Sequence, residues 1–426
     1  MRKLVLCLCF AAFAASAEVH TLTLPQVVER ALEQNPDVIM ARLDERRAAQ
    51  QIRIAKDPFI PKVYVGSGLA ATYGFPLSIE GSAPSIVEAR AIAAVFNQPA
   101  RHRLKQTREE AKGAAMEVES QRDSVAMRTV ELFLEAERAA KAVKSVSAQV
   151  EGLERIATAM RARVDEGREL PLALKQAQLD VAIARQRTEI FETDLEHSES
   201  LLASVLGYEP GDKVRAVTEP RRPLGLPGSE DAVVAQALDD NLSIRRLESS
   251  LVAKGHQLSA EKDSWKPTVN LVGKYGLFAK FNNYDEFFNR FQRHNGLIGI
   301  SVDLPVYAGR ASRARETQAS LDIERLRTEL NSARSRIALD AKRRYQEVRR
   351  AETGVEVARM DLDVTREQLS VLLAKMEEGR ASLREVEAVR YIENEKWIAF
   401  YDAHHALQLA RYRLLDETGG LLAALR

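Results

Sequence analysis

One register of identities occurs twice in this chain. Val27, Val28, Ala31, Leu32, Asn35, Gln51, Lys56, Asp57, Pro61 and Val63 recur as Val233, Val234, Ala237, Leu238, Asn241, Gln257, Lys262, Asp263, Pro267 and Val269, each 206 residues further on. Ten identities in 37 positions without a gap mark an internal duplication. Solenoid repeats run to about 20–50 residues, so this period is not a solenoid's. The fold must be buildable from two similar halves.

Residues 1–17 read as a secretory signal peptide. Arg2 and Lys3 form the charged start, Leu4 to Ala14 the apolar stretch, and Ala15-Ser16-Ala17 a small-residue cleavage site. The apolar stretch is too short to span a bilayer. Cys7 and Cys9, the only cysteines, lie inside it, so the mature chain would hold no disulfide, thiol nucleophile or thiolate metal site. Without Arg2 and Lys3, the 62 basic residues become 60 against 61 acidic ones, a balance that gives nucleic acid no purchase. After residue 17 no apolar run reaches the roughly 18 residues of a spanning helix. An exported chain of this kind can enter a membrane only through strands closed into a barrel.

Each half reads in the same order, with the first repeat at 18–207, a linker or equatorial region at 208–229 and the second repeat at 230–426. A helix from Pro25 to about Lys56 opens the first, with Thr23 as cap, Asn35-Pro36 as a possible split, and Pro58 and Pro61 as stops. Strands are expected at 62–75 and 86–97, and in the second half at 268–280 and 296–307. The alternation is clearest at Ile298, Ile300, Val302, Leu304 and Val306, opposite Gly299, Ser301, Asp303 and Pro305. Its first-half counterpart is Val87, Ala89, Ala91, Ala93 and Val95. Each run is about the 10 residues that a tilted strand needs to cross a bilayer.

Long helices are expected at 100–165 and 310–376, with return helices at 171–206 and 381–418. At 1.5 Å per residue the second long helix reaches ~100 Å. Ile323, Leu326, Leu330, Ala333 and Ile337 step by three and four, and Val348, Ala351, Val355, Ala358, Leu362, Thr365, Leu369, Leu372 and Met376 resume the alternation. Ala341 and Tyr345 carry the seam across a four-residue stutter. A 3.5-residue apolar period means coiled-coil packing. Adjacent apolar pairs such as Leu132-Phe133 imply two seams per helix, as in a closed ring of helices. Gly167 and Gly379 mark the breaks after the long helices, because glycine tolerates the positive φ past a helix end. The proline-rich segment 208–229 reads as a linker or irregular belt, not a core element.

No catalytic motif is visible. There is no G-x-x-x-x-G-K-[ST], H-E-x-x-H or G-x-S-x-G, so no enzyme, no cofactor and no metal site is expected. His404 and His405 are neighbours on a helix, diverge by about 100° and cannot share one metal. Phe281, Tyr284, Phe287, Phe288 and Phe291 cluster in the second interstrand loop, as an aromatic belt or plug or as a local hydrophobic cluster.

The signal, the duplicated strand–loop–strand plus long-helix unit, the junction Leu304-Pro305-Val306-Tyr307-Ala308-Gly309-Arg310 and the breaks at Gly167 and Gly379 together resemble the TolC-like outer-membrane efflux and secretion channels. The resemblance covers about residues 22–420. It implies a mainly α fold with a small β part, a long coiled-coil α-barrel plus a trimeric 12-stranded transmembrane β-barrel. It implies a homotrimer in outer-membrane lipid, a passive duct served by a periplasmic adaptor (membrane fusion) protein and an inner-membrane transporter. In the family an acidic residue six after the tip glycine, followed by an apolar one, lines the periplasmic aperture. Glu385 and Val386 match after Gly379. Gly167, Arg168, Gly379 and Arg380 fall at the tips that meet the adaptor. The strand-to-helix junctions fall at Gln98 and Pro99, which replace the glycine-containing turn, and at Ala308 and Gly309. The first tip departs from the pattern, with one extra residue, Pro171, and Leu174-Lys175 where an acid would stand. The competing expectation is a soluble periplasmic coiled-coil adaptor or scaffold, which requires the alternating segments to pack on helices.

Overall fold

The computed structural model describes residues 18–67, 85–209, 211–219, 221, 224–278, 292–307 and 309–425. The signal segment, the aromatic cluster at 281–291, Ala308 and most of the second part of the 62–75 strand lie outside them.

The duplication is visible in the elements. Strand β1 (Val19–Leu22) precedes α1 (Leu24–Gln34), α2 (Pro36–Lys56), a 3₁₀ turn (Asp57–Phe59) and β2 (Lys62–Gly66). In the second half α5 (Glu230–Asp240), α6 (Leu242–Lys262), a 3₁₀ turn (Asp263–Trp265) and β5 (Thr268–Phe278) begin at the same 206-residue offset. The first helix does split at Asn35, whose φ of −66° and ψ of 129° leave the helical region. A following proline disfavours the helical region, but Asn241 precedes leucine and adopts φ −64° and ψ 118° all the same. The break is therefore held by more than proline. Asn35 is 7% exposed, donates from Nδ2 to the Val205 carbonyl at 3.2 Å, and accepts at Oδ1 from the Asp37 N–H at 2.9 Å. It ends one helix and caps the next.

The remaining elements are β3 (Ser85–Phe96), α3 (Gln98–Asp165), α4 (Pro171–Val205), β4 (Lys213–Ala216), β6 (His294–Asp303), α7 (Gly309–Glu377), α8 (Leu383–Glu417) and the short α9 (Leu421–Ala424). β6 ends earlier than the expected 296–307 strand, and Leu304 and Val306 lie beyond it, because Pro305 has no N–H for the ladder.

Two compact units are formed. One comprises residues up to 40, 120–241 and 335–426; the other comprises 41–119 and 242–334. The first is helical with its own apolar core. Val27, Ala31, Val38, Val130, Phe133, Leu202 and Leu206 are fully buried there with Val214. Val214 corrects the reading of 208–229 as a linker outside the core. β4 pairs in parallel with β1, Val214 beside His20, and Leu224 and Leu226 pack on the same core. Arg221 from this segment also pairs with the buried carboxylate of Glu137. Satisfying that acid and Val214 inside the unit makes the segment a structural belt.

The second unit holds a four-stranded antiparallel sheet ordered β2-β3-β5-β6. Beside it Ser249 donates to the Glu109 carbonyl at 2.9 Å, joining α6 to α3, and Lys254 pairs with Asp322 at 3.0 Å, joining α6 to α7.

The seam of α7 follows the sequence period. Ile323, Leu330, Ala333, Ile337, Ala341, Val348, Leu362, Thr365 and Leu369 are buried, and Leu326, Tyr345, Ala351, Val355, Ala358, Leu372 and Met376 half-buried. Among the described residues no helix is long and apolar enough to cross a membrane.

Candidate functional site

The sheet separates its side chains by chemistry. Register places Val63, Ala91, Gly273 and Ile298 in one cross-strand row, and Ala93, Leu271 and Ile300 in another. Val65, Ala89 and Tyr275 continue that face on one side, Val269 and Val302 on the other. The opposite face carries Lys62, Tyr64, Glu88, Arg90, Lys274, Asn270 and Ser301, with Ile92, Val272 and Leu297 among them. The apolar face is bare: Ile298 is 88%, Val65 74%, Ile300 70%, Val63 68% and Val302 62% exposed. Each such side chain forgoes about 1.5–3 kcal/mol by staying in water, so the face as a whole forgoes on the order of 10 kcal/mol. A folded domain is stable by only about 5–15 kcal/mol. A face of this cost needs an apolar cover. Among the described residues β2 and β6 are paired on one side only.

The first junction from strand to long helix differs from the sequence expectation. Gln98 and Pro99 are the first residues of α3, and the preceding Asn97 caps it, its Oδ1 accepting from the Ala100 N–H at 2.9 Å. Asn before proline-containing first turns is a readable start signal that singling out Gln98-Pro99 passed over. Gly309 is the first residue of α7.

The two tips share one geometry. Gly167 and Gly379 have φ of 71° and 73°, a region that side chains disfavour. The Arg168 N–H bonds the Arg163 carbonyl at 2.8 Å and the Gly167 N–H the Val164 carbonyl at 2.9 Å; Arg380 to Lys375 at 2.8 Å and Gly379 to Met376 at 3.0 Å repeat the pattern. Both are Schellman turns, which satisfy the last carbonyls of the long helices. Arg168 reaches back to Glu166 at 3.1 Å and Arg380 to Glu378 at 3.1 Å, pairs that sit largely in solvent and contribute little to stability. The return helices both start four residues beyond the glycine, at Pro171 and Leu383. The first tip therefore has no extra residue. Aligned on the glycines, Ala173 is the counterpart of Glu385 and Leu174 that of Val386.

The tips differ at the return helix. Glu385 forms a capping box with Ser382: its carboxylate accepts from the Ser382 N–H at 2.7 Å and from the hydroxyl at 2.8 Å, and its own N–H donates to that hydroxyl at 3.3 Å. The backbone N–H of Ser382, then its hydroxyl, hold the Glu385 carboxyl below the usual range, so it stays ionised. Glu385 is exposed, but Val386 is 1% exposed. Val386 packs inside the protomer, so the pairing of an exposed acid with an apolar lining residue is corrected: only the acid faces outward. The S-x-x-E spacing at 382–385 was the signal for this cap.

His404 and His405 do not converge on a common ligand. His404 packs edge-on to Phe400 at 5.4 Å, while Nε2 of His405 lies 3.5 Å from Glu135. Burial, the leading cause for each, lowers both pKa values.

Comparison with known proteins gives a consistent pattern. Residues 27–208 match the family described as Outer membrane efflux protein. The chain is 24% identical over 272 residues to Outer membrane efflux protein BepC of Brucella suis biovar 1 (strain 1330), a match covering 62% of this chain and 56% of that protein. The chain thus spans little more than half the length of that relative. Its fold is similar to the Campylobacter jejuni CmeC outer membrane channel, with a TM-score of 0.77 at 15% identity over 93% of this chain and 86% of that one. It is similar to the outer membrane protein VceC of Vibrio cholerae, with a TM-score of 0.74 at 15% identity over 94% and 95%. The open state of the Neisseria gonorrhoeae MtrE outer membrane channel gives 0.69 at 17% identity over 93% and 89%.

Proposed function

We propose that the chain, whose residues 27–208 match the outer membrane efflux protein family, is the subunit of a passive export duct, three copies of which close around one passage. It resides in the outer membrane with a large periplasmic part. The observation that carries this reading is the sheet, apolar on one face, carrying nearly all its polar side chains on the other and, among the described residues, unpaired at both edges. Lipid covers the first face and a water-filled lumen the second. An open edge in hydrocarbon leaves backbone groups without partners, so β6 of one copy pairs with β2 of the next. Three copies of this four-stranded sheet make a barrel of twelve strands. A soluble adaptor or scaffold would leave the apolar face in water, against the arithmetic above.

The test contrasts two adjacent residues. Ile300→Arg places a charge in the lipid face and costs about 2–4 kcal/mol per copy, whereas Ser301→Arg points into the lumen. The first variant is expected to leave the outer-membrane fraction and the second to remain. Ile300→Arg at wild-type abundance in that fraction overturns the reading.

At the periplasmic end, Glu385 supplies a ring of three carboxylates at the aperture, and the exposed Gly167-Arg168 and Gly379-Arg380 turns meet a periplasmic adaptor coupled to an inner-membrane transporter. The exposed, ionised carboxylate supports the first assignment, since acidic rings favour cations. Glu385→Gln is expected to lower cation selectivity of single channels in planar bilayers. Identical reversal potentials for mutant and wild type remove Glu385 from the aperture.

A further inference from the structure

The four passages of the chain between sheet and helices share one composition. Residues 53–62, 96–108, 262–266 and 304–315 hold twelve lysines and arginines against two acids, Asp57 and Asp263. Both acids are taken. Asp57 pairs with Lys62, and Asp263 with Lys266 at 2.9 Å. The other ten cations form no ion pair among the described residues. Each passage also carries one aromatic side chain: Phe59, Phe96, Trp265 and Tyr307. Trp265 is 62% and Tyr307 82% exposed. Exposed tryptophan and tyrosine at the ends of membrane strands mark the boundary between hydrocarbon and headgroups.

The sheet fixes the side on which the cations of α3 stand. A bulge between Ala94 and Phe96 sets Phe96 opposite Val269, in the apolar row with Val302. The guanidinium of Arg101 lies 5.6 Å from the centre of the Phe96 ring, so it reaches back toward the apolar face. Lys105 and Arg108 follow at steps of four and three on the same face of the helix, and all three side chains are exposed. Arg101 and Lys105 stand within about 10 Å of the start of α3, about one Debye length at 0.1 M salt.

We propose that this basic collar binds the anionic headgroups of phospholipids in the periplasmic leaflet and gathers them around the duct in preference to zwitterionic ones. The inference rests on the placement of the apolar sheet face in lipid and adds which lipid stands beside it. Ring and charge come in the order a leaflet requires, the ring at the edge of the hydrocarbon and the cation about one helical turn beyond, at the depth of the phosphates.

Trp397→Phe leaves Trp265 as the only tryptophan and so as the reporter. The full-length assembly is placed in bilayers of phosphatidylcholine with one tenth phosphatidylglycerol. Bromine is carried on the acyl chains either of the anionic lipid or of an equal amount of the neutral one. Quenching of Trp265 by the brominated anionic lipid is expected to report about threefold enrichment over the neutral lipid. In 1 M salt, where the Debye length is about 3 Å, the two lipids should quench alike. Arg101→Gln, Lys105→Gln and Arg108→Gln together are expected to remove at least half of the enrichment; the salt comparison stands alone if that variant does not assemble. Equal quenching by the two lipids at low salt, or enrichment that persists in 1 M salt, overturns the proposal and leaves the sheet in the membrane, with the collar's charges turned to the lumen or to water. Quenching by neither lipid overturns the membrane placement itself, and the collar with it.

Discussion

The two halves share a skeleton and divide the work of packing unequally. α3 is buried on more than one side: Val125, Ala126 and Met127 are consecutive buried residues, as are Phe133 and Leu134. α7, of almost the same length, buries one seam. Beyond it Val357, Met360, Val364 and Val371 step by three, four and seven and are each more than half exposed. The return helices reverse the assignment. α8 buries Val386, Ile398, Leu407, Tyr412 and Leu414, while α4 exposes Leu172, Leu179, Ile183 and Ile190 at steps of seven, four and seven. One long helix and one return helix, from opposite halves, are thus left with bare apolar stripes at coiled-coil spacing. Two different surfaces that must each be covered suit a head-to-tail ring, in which α7 of one copy packs on α4 of the next. Duplication supplies the elements, and divergence of the seams decides which face inward.

The inner–outer division predicts unequal costs at equivalent positions. Phe133 is 0% exposed, and Tyr345, in the equivalent place on α7, is half-buried. Phe133→Ala is expected to cost about 3–5 kcal/mol and Tyr345→Ala about half that, measured by denaturant unfolding. Equal costs for the two would break the division.

The bare stripes give a sharper test at somewhat smaller expected effect. Ile183→Glu on α4 and Val364→Glu on α7 each place a charge where a neighbouring helix should dock, at about 2–3 kcal/mol per contact. Both variants should retain wild-type helix content by circular dichroism yet elute as single protomers. Trimers that persist in both would mean that these stripes face solvent or lipid, not another copy.

Much of this arrangement is legible before any coordinates. The 206-residue register anticipates matched starts for α1 and α5 and for α2 and α6, because the residues before them match: Thr23 and Ser229 before the first pair, Asn35 and Asn241 before the second. The three–four steps from Ile323 to Met376 mark the buried stripe of α7, stutter included, since helical period alone decides which residues share a face. The alternation at Ile298, Ile300 and Val302 marks the apolar sheet face for the same reason, with a period of two. β4 was hidden. Its four residues lie among prolines and glycines, and its partner β1 is 194 residues away, at Val19 for Lys213. No local signal reports a pairing of that range. The Ser382–Glu385 spacing was visible but had two uses, as a cap and as an aperture acid, and the exposed carboxylate of Glu385 is compatible with both.

The smallest effect concerns that cap, and it separates the tips most cleanly. The Schellman turns are alike, but the cap residue before α8 is Ser382, bonded to Glu385, whereas the one before α4 is Leu170, which offers no side-chain cap, so that α4 relies on Pro171 in its first turn. The first turn of α4 should therefore open more readily than that of α8. Leu170→Ser supplies the missing acceptor and is expected to slow amide hydrogen exchange at residues 173–176 about fivefold, the effect of one good N-cap. Ser382→Ala should speed exchange at residues 385–388 by a similar factor. If Leu170→Ser changes nothing, packing against neighbouring helices already holds the first tip, and the difference between the tips lies in their charge alone.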